Sequence, residues 1–444
     1  MNREPHRISR RTWRTRTRIA EHLRNRIWIV PAVFAALAIA AGIAFPVVDG
    51  STGLTIIAFD PEAARSLLGS LAGGMITFTG FVFSILLVAV QFGSSQFSPR
   101  MLLLFLRDPV TQLALGTFIA TFLYSLLVLS SVGRPANPDF VPHNSISIAL
   151  LSLLASMFMF LRLITNTTSG LRVASVLGDI GREARKVIDR VYPEPALSGE
   201  FGERELAPLP EDCRVIAHRG EPGVVRSVDR RGLVSLATAA DTVIELVPAI
   251  GDLVVAGDPL FRIGGGSGSL DEDELVSSVV VGDERSVDQD PAFAFRLLAD
   301  ISAKALSPGV NDPTTATQAL NQIEVLLRTI ARRRLTPDIV HDESGIVRFR
   351  ARTPSWEDYL SLALDETRQF GEGAVQVSRR LSALLERLRE TVPGYRLPAV
   401  EAQLQLVRSG ARRAFSDEPD REAAVTADPQ GLGSRESGGS PAPR

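Results

Sequence analysis

GGMITFTGFVFSILLVAVQF, Gly73–Phe92, carries no charged side chain along its whole length. As a helix, a run of that length covers the roughly 30 Å hydrocarbon core of a bilayer, because each helical residue adds about 1.5 Å. Three further uncharged runs accompany it: Ile27–Val48, Gln112–Val132 and Ser145–Leu161. Inside hydrocarbon the backbone must satisfy its own hydrogen bonds, so all four are read as transmembrane helices. The fold class is therefore a membrane all-α N-terminal region of four helices, followed by a charged cytoplasmic α+β region. The first span is too long for the apolar core of a signal peptide, and Phe45-Pro-Val-Val-Asp49 lacks a small-x-small cleavage site.

Orientation follows from arginine. The first 26 residues hold nine arginines against Glu4 and Glu21, and Arg100 and Arg107 occupy the second loop. The first loop supplies Asp49, Asp60 and Glu62 against Arg65. Positive side chains near a span hold that side in the cytoplasm. The expectation is a multi-pass protein of the bacterial inner membrane, both termini cytoplasmic, with the lipid bilayer as its first partner. Arg162 ends the fourth span and snorkels to the headgroups.

The net charge of −2 over 444 residues argues against nucleic acid as a partner. One cysteine, Cys213, excludes an intramolecular disulfide framework and any multi-cysteine metal site within one chain.

On the second span, Gly73, Thr77, Gly80, Ser84 and Gln91 recur at spacings of three and four with one turn skipped, so they form one small and polar stripe. Such a stripe is either the lining of a pore in a symmetric homo-oligomer or a close helix-packing face.

Six segments are expected: a basic arm over 1–26, the membrane domain over 27–166, and a helical connector with a Pro-rich link over 167–213. A small β domain covers 214–264, and a mainly helical domain covers 265–415 with a hairpin near 339–350. A disordered tail covers 416–444. GVVRSVDRRGLVSLA, TVIELV and DLVVAGDPLFRI are read as strands of the β domain.

GDLVVAGDPLFRI, Gly251–Ile263, is similar to the turn of barrel-sandwich hybrids, the lipoyl and biotinyl carrier fold; the resemblance extends over residues 220–263. Carriers hold their cofactor on a lysine, and none occurs between Lys186 and Lys304. Lipoate and biotin are excluded, and no cofactor is expected. GGGSGSLDEDEL, Gly264–Leu275, lacks the Lys-Ser/Thr of a phosphate loop and is read as a link, with Ser269 capping an acidic helix.

In ALSPGVNDPTTATQAL, Ala305–Leu320, an exit turn over Ser307–Asn311 precedes Asp312-Pro313, an N-cap with proline at the first helical position. Ser307, Asn311, Asp312, Thr314 and Thr315 are thus a helix-cap turn or a site for an anion or polar ligand. Asp290-Pro291 repeats the arrangement, and Ser355 with Asp358 reads as a capped helix start. His341 beside Asp342 and Glu343 is the one histidine-acid cluster, placed at a hairpin tip.

SSQFSPR (Ser94–Arg100), QDPAFAFRLLADISAKALSPGVNDPTTA (Gln289–Ala316) and PSWEDYLSLALDETRQFG (Pro354–Gly371) together resemble a bacterial family of predicted membrane proteins, domain of unknown function 2254. The family lends no catalytic residues. Where it leads one to expect a histidine pair, the end of the fourth span reads Leu161-Arg-Leu-Ile-Thr-Asn166, and Ala294 stands where glycine is expected.

No nucleophile, base and acid cluster as an enzyme requires, so the expectation is a non-enzyme. Its leading form is a homo-oligomeric channel or transport-related protein with a cytoplasmic regulatory domain. The alternative is a membrane-anchored sensor or scaffold that binds a protein or small ligand.

Overall fold

A computed structural model describes residues 28–52, 57–96, 108–133, 140–170, 172–196, 209, 213–265, 270–335 and 338–430. The basic arm, Arg100 and Arg107, Ser269, and most of the Pro-rich link lie outside the described residues. The chain divides into two compact units, one within residues 15–175 and the other from Val176 onward.

The first unit contains four helices long and apolar enough to cross a membrane: α1 (Ile29–Thr52), α2 (Pro61–Gln96), α3 (Pro109–Leu129) and α4 (His143–Gly170). α2 begins at Pro61 rather than near Gly73, so its first turns carry Glu62 and Arg65. Its 36 residues extend about 54 Å, well beyond the hydrocarbon core. α4 likewise passes Arg162, which is exposed within the helix rather than at its end.

The centre of this unit is α3, which packs on each of the other three helices. Half of its spanning window is buried, against 11–22% in α1, α2 and α4. Small residues allow the approach. A Cβ at Gly42 would stand 2.8 Å from Leu127 Cβ, and one at Gly116 would stand 3.0 Å from the Phe34 ring. Phe78 makes edge contacts with Phe118 and Phe160, at centroid distances of 5.2 and 4.9 Å.

Hydrogen bonds fix the helix ends. Asp108 caps α3 by accepting from Thr111 N at 3.0 Å and also accepts from Asn166 Nδ2 of α4 at 2.7 Å. Asp49 of α1 accepts from Ser145 N at 2.8 Å and Ser145 Oγ at 2.7 Å. Two of these bonds, from Thr111 N and Ser145 N, occupy backbone donors that a helix start leaves open.

The second unit takes in most of α5 (Val173–Val191), from Val176, and continues through eight strands and eight further α-helices among the described residues. The strands are β1 (Arg214–Ala217), β2 (Gly223–Val228), β3 (Val243–Leu246), β4 (Leu253–Val254), β5 (Pro259–Gly264), β6 (Val279–Gly282), β7 (Asp338–His341) and β8 (Val347–Ala351). They form two sheets, ordered β1-β5-β3-β8-β7 and β4-β2-β6. Among the described residues only β3 and β8 pair in parallel, with Ile244 opposite Phe349.

No barrel closes among the described residues. The resemblance to barrel-sandwich hybrids has a local cause: Asp252 accepts from Ala249 N at 2.8 Å, and Asp258 from Val255 N at 3.0 Å. Gly251 and Gly257 adopt φ of +100° and +98°. The two Gly-Asp corners are turn chemistry and do not specify which strands meet. The strands within 214–264 pair with one another, and β2 and β3 also pair with β6 and β8 from beyond that range.

GVVRSVDRRGLVSLA is not one extended run. β2 stops at Val228, Asp229 accepts from Gly232 N at 3.0 Å, and helix α6 (Arg230–Ala239) follows. Leu233, Leu236 and Ala237 recur at helical spacing and enter the same core as Ile244, Phe261 and Phe349.

Beyond α7 (Glu272–Ser277), which Asp271 caps, lie α8 (Pro291–Ala305), α9 (Pro313–Ile330), α10 (Trp356–Phe370), α11 (Val375–Thr391) and α12 (Leu397–Ala414). A last helix, α13 (Glu418–Val425), falls where a disordered tail is expected. It buries Ala424 and packs on α11 and α12, and Ala423 O accepts from Arg379 Nε. Residues 431–444 lie outside the described residues.

Gly42→Val drives a branched side chain into Leu127. It is expected to lower stability by about 1–3 kcal/mol, read as a lower melting temperature in detergent. Gly73→Ala, with nothing within 4 Å of the added Cβ, is expected to leave that temperature unchanged or raised.

Candidate functional site

The stripe residues Gly73, Thr77, Gly80, Ser84 and Gln91 are all exposed, on a helix that leaves most of its surface uncovered and also exposes Ile76, Phe81, Phe83 and Ile85. A Cβ added at Gly73 or Gly80 meets nothing within 4 Å. Thr77 Oγ1 donates to Gly73 O and Ser84 Oγ to Gly80 O, each at 3.0 Å. The two hydroxyls are thereby satisfied within α2 while facing away from the chain's own helices. Other polar groups meet in the interior of the unit: Thr121 Oγ1 and Ser156 Oγ bond at 2.8 Å, and Tyr124 OH donates to Ser145 O at 3.2 Å.

The turn residues belong to the other unit. Asp312 Oδ1 accepts from Thr315 N at 3.0 Å, and its Oδ2 accepts from Thr315 Oγ1 at 2.6 Å. Ser307 Oγ donates to Lys304 O at 2.7 Å, and Asn311 N donates to Ser307 O at 2.9 Å. Asn311 adopts φ of +49°, a left-handed conformation that asparagine tolerates, and this reverses the chain into α9. Capping thus occupies Ser307, Asp312 and Thr315, while Asn311 and Thr314 remain exposed. Asp290 repeats the cap at α8, accepting from Phe293 N at 3.2 Å.

Asp290 has a second duty. Its Oδ2 accepts from Arg285 Nε at 3.0 Å and Nη2 at 2.6 Å. Arg285 reaches it across Gly251, where an added Cβ would stand 2.5 Å from Arg285 Nη2. Burial raises the Asp290 carboxyl above its ordinary value, against the pull of Arg285. Nearby, Tyr192 OH and Tyr359 OH bond at 3.1 Å in the interior. Burial pushes the Tyr192 phenol up to about 12, so the pair stays protonated at physiological pH.

His341 is exposed, and its neighbour Asp342 accepts from Arg348 Nε at 2.7 Å and from the Ser344 and Ile346 amides, each at 2.9 Å. Asp342 therefore shapes the hairpin. Among the described residues no group of three His, Cys, Asp or Glu side chains is placed to hold a metal ion.

One cluster is absent from the sequence reading. Between α9 and α11, three guanidinium groups converge on the single carboxylate of Glu324. Arg380 Nη2 donates to Glu324 Oε2, and Arg380 Nε donates to Asn321 Oδ1 at 2.8 Å. Arg387 Nη1 and Arg328 Nη1 stand 3.4 and 3.5 Å from Glu324 Oε1. Burial lowers the Arg380 guanidinium from its ordinary value, Glu324 raises it, and Arg387 pushes it down again. Sequence spacing places Glu324 with Arg328, and Arg380 with Arg387, on one face of each helix. That the two faces oppose each other is visible only in the fold.

The sequence pattern of a bacterial family described as predicted membrane protein, DUF2254, matches residues 24–387. The chain belongs to this family. Its matched range takes in all four spanning helices and the α9–α11 cluster. Uncharacterized proteins of Mycobacterium tuberculosis and Mycobacterium bovis are 30% identical over 424 residues, covering 93% of this chain and 81% of theirs. No solved structure matches.

Asp312→Ala is expected to cost about 1 kcal/mol, and Asp312→Asn almost nothing, in chemical or thermal unfolding. Loss of a binding response in Asp312→Asn at unchanged melting temperature would show that the charge serves a ligand. Tyr192→Phe leaves the Tyr359 hydroxyl without its buried partner and is expected to cost about 1–3 kcal/mol in the same assay.

Proposed function

We propose that this protein is a homo-oligomeric channel or transport-related protein of the bacterial inner membrane, with both termini and its C-terminal unit in the cytoplasm. In this reading several copies turn α2 toward a common axis, and the C-terminal unit regulates the assembly. It has no catalytic step.

The observation that carries the reading is the uncovered stripe on α2. Lipid gives no reason to align Gly73, Thr77, Gly80, Ser84 and Gln91 outward, since a helix facing acyl chains is best served by large apolar residues. A second copy supplies a reason, because small and hydroxyl side chains permit close helix approach or line a polar path. Aromatic packing where the helices of the single chain meet, with Phe78 in edge contact with Phe118 and Phe160, supports placing any path between copies.

A second reading keeps the spans as an anchor for a sensor or scaffold whose C-terminal unit binds a protein or small ligand. It is favoured by the hydroxyls of Thr77 and Ser84, which their own helix already satisfies.

Ser84 separates the two. For a channel, Ser84→Leu is expected to abolish ion flux in proteoliposomes while the oligomer persists on size exclusion, and Ser84→Ala to alter conduction. For an anchor, wild type conducts nothing under any gating condition, and Ser84→Leu acts only by weakening assembly through added bulk.

A further inference from the structure

We propose that the arginine cluster between α9 and α11 is a binding site for a doubly charged oxyanion of the phosphate class. Arg328 and Arg387 grip it at the surface, and Arg380 holds the site from beneath. The proposal concerns the C-terminal unit alone and stands whether or not the spans conduct.

Charge is the first argument. Three guanidinium groups share one carboxylate, so two positive charges lack a counter-charge within the cluster. Among the described residues Arg328 and Arg387 reach no other carboxylate. Like charges held this closely raise each other's energy, and a phosphate group, at about −1.5 to −2 near pH 7, matches the excess.

Geometry is the second. A structural ion pair for Glu324 needs one arginine, and Arg380 already provides it through Nη2. The Arg380 side chain is 3% exposed, yet its Nη1 has no hydrogen-bond acceptor in the protein. Such a buried donor is costly unless something pairs with it. Arg328 and Arg387 are different in kind, with side chains 41% and 45% exposed and contacts to Glu324 Oε1 of 3.5 and 3.4 Å. Both can turn their planar forks toward a ligand, which is the geometry that suits phosphate oxygens. Asn321, which is exposed, offers its amide nitrogen at the same edge because its Oδ1 is taken by Arg380 Nε.

The phosphate has two possible sources, a free molecule and a lipid headgroup, and the test has an arm for each. Full-length protein in detergent is titrated with inorganic phosphate, with chloride at matched ionic strength as control, and followed by calorimetry and thermal unfolding. Phosphate is expected to raise the melting temperature of wild type beyond chloride, since a ligand that binds only the folded state stabilises it. The double variant Arg328→Gln/Arg387→Gln is expected to bind at least about tenfold more weakly, equivalent to about 1.4 kcal/mol. Arg412→Gln, on the exposed side of α12, is expected to match wild type.

In the second arm the protein sits in nanodiscs of phosphatidylcholine with or without phosphatidylglycerol. A headgroup source makes phosphatidylglycerol stabilise wild type and not the double variant; a free source gives the same phosphate response in both bilayers. If the double variant does not fold, Arg387→Lys, which keeps the charge and loses the fork, is expected to weaken binding several-fold. Equal stabilisation of wild type and the arginine variants overturns the proposal, as does the absence of any response of wild type in both arms.

Discussion

Hydrocarbon offers the backbone no hydrogen-bond partner, and the first unit is organised around that constraint. Each span is a continuous helix, and the donors left open at helix starts become the points where helices are tied together. Asp108 serves α3 and α4 at once, and Asp49 of α1 serves the start of α4. α3 is half buried among its three neighbours, whereas α2 leaves most of its surface uncovered. The small and polar stripe lies on that surface beside exposed Ile76, Phe81 and Phe83, and the reading of function depends on what meets it.

The second unit solves a different problem, because it is rich in arginine and must place those charges without leaving them unpaired in its interior. Some are fully used: Arg285 binds Asp290 through two nitrogens, and Arg348 bonds to Asp342 and Asp241. Arg396 lies buried against Trp356 and donates to the Ile330 and Ala331 carbonyls, where it stabilises the C-terminal end of α9. The α9–α11 cluster stands apart from these because its charges do not balance. Its buried pair, Arg380 and Glu324, is joined by two half-exposed arginines that have no further carboxylate partner among the described residues.

The two candidate sites differ in how much of their geometry local sequence fixes. The Ser307–Thr315 turn is local, and its cap geometry follows from neighbouring residues, as Asp312 and Asn311 demonstrate. The stripe on α2 is also local as a pattern, yet what it faces depends on three other helices. Whether it lines a pore or packs against a helix depends on what lies beyond a single chain.

By itself the sequence determined what depends on composition and short-range chemistry: four apolar spans, the caps at Asp290, Asp312 and Ser355, and membership of a membrane family. It decided less where local chemistry permits more than one tertiary use. The Gly-Asp corners of Gly251–Asp258 fit a barrel sandwich and equally fit open sheets, and β3 finds β8 a hundred residues away only because Ile244 and Phe349 share a core. Asp229 turned an apparent strand run into a helix, and the packing of Ala424 gave order to a segment whose composition resembles a tail. The meeting of Glu324 with Arg328, Arg380 and Arg387 was decided by tertiary structure alone, since helix periodicity aligns residues along one helix and carries no information about which face of another helix lies opposite.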